Sequence, residues 1–230
     1  MRIPKLSATI QRRLLISYRV KPAALSFYLP KGLRPQIVDG SAVAGMCLIR
    51  LADVRPQFIK PKIGWKGENA AHRIAVEWDT VDGVQTGVFI PERHSNSILP
   101  VLAGGRIFPG KHVPAEFIVN ETVNQFQVKM TSLDTRLEVD VELTDDWNST
   151  LFPTLDSASA FYRESPVGWS PVMGNEEQVE GLKLSTDQWA VKAGKMNRLK
   201  SSFFDELGSS NAKFDHVLVM QDIPVTWSKP

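Results

Sequence analysis

The chain has 230 residues, 43% hydrophobic and 23% charged, with 27 Lys and Arg against 25 Asp and Glu for a formal charge of +2. Such a composition belongs to a folding globular domain and sets aside intrinsic disorder, collagen-like repeats and coiled coil; the near balance of charge sets aside the broad basic field of a general nucleic-acid binder. The single cysteine allows no internal disulfide and suits a reducing compartment.

At the N-terminus, Gln11, Arg12 and Arg13 interrupt the apolar residues of "MRIPKLSATIQRRLLISYRV", so no signal-peptide core is expected. No stretch approaches the ~20 apolar residues of a membrane helix. The expectation is a cytoplasmic protein with no membrane partner. "LLISYRV" (Leu14 to Val20) predicts a strand, and Pro22 with Ala23, Ala24, Leu25 and Phe27 predicts a short helix that "LPKGLRP" stops. Asp39-Gly40 then predicts a turn into the strand "SAVAGMCLIRLADV", whose small residues imply close backbone packing. Cys47 in that strand reads as a small buried hydrophobe, with a nucleophile left open because its partners can come from elsewhere in the fold.

"FIKPKIGWKGEN" (Phe58 to Asn69) reads as a loop broken by proline and glycine and kept soluble by lysine, or as a lid with Trp65 as its apolar contact. "HRIAVEWDTVDGVQTGVFIPER" predicts a β-hairpin turning at Asp82-Gly83. Further strands are expected between Ala115 and Asp145, where Leu137, Val139, Val141 and Leu143 share one face. A short helix is predicted over Leu155 to Glu164, capped by Asp156 or Ser157. Strands return at "LKLSTDQWAVKAG" and "FDHVLVMQDIPVTW", with a turn of helix in "LKSSFFDELGSS" between them. No repeat or linker interrupts the chain, so residues 1–230 read as one α+β, mostly antiparallel β, barrel-like domain.

No G-x-G-x-x-G fingerprint, P-loop or G-x-S-x-G elbow is present. The histidines are His72, His94, His112 and His216, and the first three could converge in the fold. Glu68 and His72 stand four apart, but neither HExxH nor Cys/His spacing accompanies them, so no metal and no cofactor are expected. "GGRIFPGKHVPAEF" sets Lys111 beside His112 after glycine, proline and aromatic residues. A lysine attacks a carbonyl only when neutral, which requires an apolar pocket or a second cation to lower its pKa. Ile107, Phe108 and Val113 offer the first cause, Arg106 and a protonated His112 the second. Adjacent strand residues face opposite ways, however, and a solvated hairpin lysine is the plain alternative.

The ordered segments "ENAAHRIAVEW", "GVFIPERHSNS", "GGRIFPGKH" and "FDHVLVMQDIPVTW" resemble the YqjF-like bacterial family of the acetoacetate-decarboxylase-like superfamily. The resemblance implies a conical antiparallel β-barrel with a few short helices and a central pocket. It also implies two consecutive lysines after an aromatic-Pro pair, the first forming a Schiff base and the second lowering its pKa. Aligning Phe108-Pro109 puts Gly110 at the first position and Lys111 at the second; a one-residue shift would rescue Lys111 but moves it to the other strand face. Glu68, His72 and Arg73 fall in the region of that superfamily's pocket carboxylate. Arg19, His72, Arg73 and Arg106 are thus the expected ligand contacts, with a surface salt bridge as the plainer role for Arg19. The function implied is a central pocket for a small carbonyl- or carboxylate-containing molecule. The alternative is a Schiff-base lyase with Lys111 as nucleophile and Glu68 or His112 moving the proton. No nucleic-acid partner is expected; a homo-oligomer through strand edges or the Trp227-bearing tail is left open.

Overall fold

The computed structural model describes residues 5–60, 64–97 and 108–230. Fifteen strands in these segments are β1 (Leu6–Val20), β2 (Arg34–Pro35), β3 (Ile37–Val38), β4 (Ser41–Pro56), β5 (Trp65–Thr80), β6 (Gly83–Phe89), β7 (Glu92–Ser95), β8 (Lys111–Pro114), β9 (Glu116–Glu121), β10 (Gln125–Thr131), β11 (Arg136–Thr144), β12 (Val167–Val172), β13 (Asn175–Ser185), β14 (Lys192–Ser201) and β15 (Ala212–Ser228). Three short α-helices accompany them: α1 (Pro22–Leu25), α2 (Leu155–Arg163) and α3 (Ser202–Leu207). The α+β, mostly antiparallel reading holds, with parallel pairing confined to β6–β12 and β7–β8.

The sheet runs β1-β4-β5-β6-β12-β13-β15, and β15 pairs back onto β1, so these seven strands close a ring. Closure gives each of these strands a paired neighbour on both sides. From β15 the sheet also continues through β14, β11, β10 and β9, forming a second layer. Over Leu14–Tyr18 of β1 and Ala42–Leu48 of β4 both faces are consequently buried, and the apolar residues there are near-continuous rather than alternating. Leu14, Ile16, Tyr18, Met46 and Leu48 meet Phe126, Val128, Val139 and Val141 of the second layer. On the other face Leu15, Val43, Cys47 and Leu51 join Ala158 and Tyr162 of α2, which packs inside the ring. The close approach of β1 and β4 requires glycine at 45, since a Cβ there would lie 2.1 Å from the Ile16 carbonyl oxygen.

The hairpin at Asp82-Gly83 forms as expected, with Thr80 opposite Gly83. Helix α2 also forms, but Thr154 is its cap: the Thr154 hydroxyl accepts from Ser157 N–H and Ser157 Oγ accepts from Thr154 N–H. Trp65 to Asn69 belong to β5 rather than to a loop or lid, because Trp65 packs into the inner core and covers Gly67. The stretch between Ser185 and Lys192, expected as strand, leaves the sheet before β14 begins.

A buried ionic knot ties the second layer to the ring. Arg12 and Arg50 are register partners on β1 and β4, and Arg50 in turn faces Glu68 on β5. Arg12 and Arg50 each donate to Glu68 at 2.5 Å, and both also bond Glu121 of β9. Arg12 is only 2% exposed, so its charge depends on these carboxylates. Truncating Glu68 to alanine is expected to destabilise the fold by roughly 3 kcal/mol, measured by urea unfolding, because it takes from the buried Arg12 guanidinium one of its two carboxylate partners.

His72 occupies the same outer face of β5 as Glu68, its ring 4.7 Å from that of Phe203 and 6.2 Å from that of His94. Burial, then the neighbouring His94, push its pKa down from 6.5 to about 4, against a smaller upward pull from Glu92. The folded protein therefore takes up this proton less readily than the unfolded chain. The resulting stability is present above pH 6.5 and is lost as pH falls toward 4. In His72→Phe the loss of stability between pH 7 and 4 should be smaller than in the wild type by roughly 3 kcal/mol, read from denaturant midpoints at each pH.

Candidate functional site

Four strands present side chains in one transverse row. Cys47 on β4 is opposite Ala71 on β5, Ala71 is opposite Arg93 on β7, and Arg93 is beside His112 on β8. Alternation brings Ile49 and Leu51 to the same face of β4, and Asn69 and Arg73 to the same face of β5. This face borders a cavity of about 390 Å³ to which every strand of the ring contributes, a size suited to a small molecule. Phe108, Trp189 and Trp227 supply aromatic wall, while Val88, Ile90, Leu182 and Leu184 supply aliphatic wall. Lys183 and Asp187 are exposed at its margin.

The polar part of the lining is dominated by guanidinium groups. Arg13 donates from Nε to Cys47 Sγ at 3.3 Å. Arg73 is buried, its Nε has no hydrogen-bond partner among the described residues, and its guanidinium lies 5.6 Å from the Tyr162 ring centroid. Arg93 Nη1 is likewise buried without a partner. Burial pushes the pKa of Arg73 down and that of Arg93 to about 10, which leaves both charged near neutral pH. Among the described lining residues the single carboxylate is that of Asp187, at the margin.

Cys47 responds to this field. Burial alone would push its thiol up, but the charges of Arg13, Arg73 and Arg93 outweigh burial and hold it below the ordinary value. His112 bonds the Phe108 carbonyl oxygen through Nε2 at 2.8 Å, which makes Nε2 the donor and leaves Nδ1 as a buried acceptor without a partner among the described residues. Its pKa is lowered, chiefly by burial, so the ring is neutral at pH 7.

A buried polar chain supports the cavity wall from behind. Tyr162 Oη lies 2.5 Å from Ser17 Oγ and 3.3 Å from His216 Nε2. His216 Nδ1 lies 2.7 Å from Asp215 Oδ2, and Asp215 also accepts from Thr150 N–H at 2.9 Å and from the Ser149 hydroxyl. Burial would raise the Asp215 carboxyl, but the bonds from His216, Ser149 and Thr150 together hold it below its usual range. Burial, the largest influence on Tyr162, keeps its phenol protonated. The chain fixes the ring over which Arg73 lies.

Arg73 and His112, two of the residues expected from sequence, line the cavity; the others are placed differently. Lys111 and Glu92 are register partners on the opposite face of β8 and β7 from His112 and Arg93, and Lys111 Nζ pairs with Glu92 at 2.6 Å. Its side chain is 63% exposed, so it is a surface ion-pair residue rather than a pocket nucleophile. Gly110 cannot be replaced by the missing lysine either: its φ is +103° and a Cβ would lie 2.8 Å from Ser170 Cβ. Glu68 spends both oxygens in the ionic knot, which removes it as a proton-transfer group. His72 faces the outer core, opposite to Arg73. Arg19 is half-buried on β1 and does not line the cavity. Arg106 lies outside the described residues. Sequence reasoning missed Arg13, Arg93, Asn69 and Tyr162; the parity of "NAAHR" was the available signal for Asn69.

Among the described residues there is no cluster of three or more His, Cys, Asp or Glu able to hold a metal ion, and no helix is long and apolar enough to cross a membrane.

Several solved structures share the fold. An acetoacetate decarboxylase from Legionella pneumophila superposes with a TM-score of 0.62 at 13% identity, over 97% of this chain and 84% of that one. An acetoacetate decarboxylase-like enzyme from Sphingomonas wittichii RW1 gives 0.64 at 13% identity, over 99% and 91%. The enduracididine biosynthesis enzyme MppR, complexed with pyruvate, gives 0.63 at 13% identity, over 99% and 89%. These likenesses establish an acetoacetate-decarboxylase-like fold. No curated protein matches the sequence. The family comparison matches residues 7–223, and the chain therefore belongs to DUF2071, a family of uncharacterized conserved proteins.

Proposed function

We propose that the cavity binds a small organic carboxylate carrying a carbonyl group, held by Arg13, Arg73 and Arg93. The observation that carries this reading is a wall of guanidinium groups in which Arg73 Nε and Arg93 Nη1 are buried donors that meet no acceptor among the described residues. Buried cations without acceptors are costly, and a bound carboxylate offers both the charge and the paired oxygens that guanidinium geometry matches. The aromatic and aliphatic walls suit a short carbon skeleton. MppR is complexed with pyruvate within the same fold, and pyruvate combines this charge, this size and a carbonyl.

A Schiff-base lyase acting through Lys111 is disfavoured by the Lys111–Glu92 pair on the outer side of the wall. An amine nucleophile must be neutral and inside the pocket, whereas Lys111 is an exposed partner of a carboxylate.

Titration calorimetry and thermal unfolding with pyruvate or acetoacetate, against acetone as the uncharged control, test the proposal. The acids should bind saturably and raise Tm; a concentration of 100 times Kd corresponds to about 2.7 kcal/mol of added stability. Arg73→Ala should weaken binding roughly tenfold or more, while Lys111→Ala should stay within about twofold. Equal responses to acetone and pyruvate, or abolition of binding by Lys111→Ala, would overturn the reading.

A further inference from the structure

Cys47 is the side chain in the cavity whose chemistry simple carboxylate binding does not use. It stands in the centre of the charged wall, with Arg13 and Arg73 as its diagonal neighbours on β1 and β5 and Arg93 two strands away along the same row. Ala71, between Cys47 and Arg93, puts only a methyl group into the intervening space. The thiol touches Arg13 Nε at 3.3 Å and borders the cavity, while the outer face of the same strand is sealed by apolar core. A second, independent feature points to a ligand beside it: Arg73 is 8% exposed, its Nε meets no partner among the described residues, and it lines the same cavity.

We propose that Cys47 is the nucleophile of this cavity and captures small 2-oxo carboxylates as reversible hemithioketals. The inference rests on the carboxylate-binding reading above. In the addition, a bond forms between Cys47 Sγ and the carbonyl carbon, the C=O π pair moves onto oxygen, and the proton lost by the thiol is returned to that oxygen through solvent. Nothing is oxidised and no group leaves. The guanidinium groups serve both partners, since they favour thiolate over thiol and stabilise the alkoxide as it forms. Their hold on the thiol agrees with its lowered pKa.

Because the chain has one cysteine, thiol chemistry reports on Cys47 alone. The folded protein is treated with 3-bromopyruvate, which alkylates sulfur with loss of bromide, and with uncharged iodoacetamide; rates are followed by intact mass and normalised to those of free cysteine. The expected result is one adduct, absent in Cys47→Ser, that forms with a saturable rate, is slowed by pyruvate and shows at least tenfold preference for bromopyruvate over iodoacetamide. That preference should fall several-fold in Arg73→Gln. Carbon NMR of pyruvate labelled at its carbonyl carbon should show, with the wild type, a protein-bound tetrahedral signal distinct from that of free pyruvate hydrate and lacking with Cys47→Ser. An adduct that persists in Cys47→Ser, or that forms only after denaturation, or a missing tetrahedral signal at saturating pyruvate would overturn the role of Cys47. In each of those cases calorimetric pyruvate binding by the wild type would leave the carboxylate reading standing, and its absence would remove both.

Discussion

Side chains alternate between the two faces of a strand, and here both faces of the central strands are enclosed, so alternation sorts charge into two separate buried environments. On β1, Arg12 points to the outer core and Arg13 to the cavity. On β5, Glu68 and His72 go outward while Asn69 and Arg73 go inward. On β8, Lys111 and His112 part in the same way. Moving any of these strands by one residue would exchange a structural charge for a cavity charge, which is why register governs everything else about the site.

The two environments treat their arginines in opposite ways. Arg12 and Arg50 meet Glu68 and Glu121 and form a four-charge knot in which each cation has two carboxylate partners. Arg13 donates to a thiol, Arg73 lies beside a tyrosine ring, and Arg93 borders the cavity. A knot of the first kind joins layers and balances its own charge. A wall of the second kind keeps desolvated positive charge uncompensated, which costs stability until an anion arrives. The fold tolerates that cost because the wall is braced from behind: Asp215, His216 and Tyr162 are held by one another and by Ser17, Ser149 and Thr150, so the platform beneath Arg73 is already set.

Much of the fold was legible in the sequence because its signals are local. Asp82-Gly83 forms its hairpin, Pro22 opens its helix, and Leu137, Val139 and Val141 share their buried face. Trp65 to Asn69 misled because glycine and lysine are read as loop residues, whereas tertiary packing makes this the start of β5. The site was far less legible. Its row joins residues 47, 71, 93 and 112, whose pairing depends on long-range register, and Arg13 reaches it from the other end of the sequence. Lys111 attracted attention through its neighbours in sequence, but on a strand the adjacent position is the one that faces away.

The surroundings of Gly110 explain why a shared fold need not carry a shared nucleophile. A side chain there must adopt a left-handed backbone and enter space held by Ser170, so the position that the resemblance associates with a Schiff-base lysine is closed by β12 itself. Supplying an amine to the cavity would take a change of backbone as well as of residue. A thiol already faces the interior from β4, flanked by cations that favour its ionised form. Barrel closure thus provides the enclosed volume, and the parity of a few strand positions decides which reactive group looks into it.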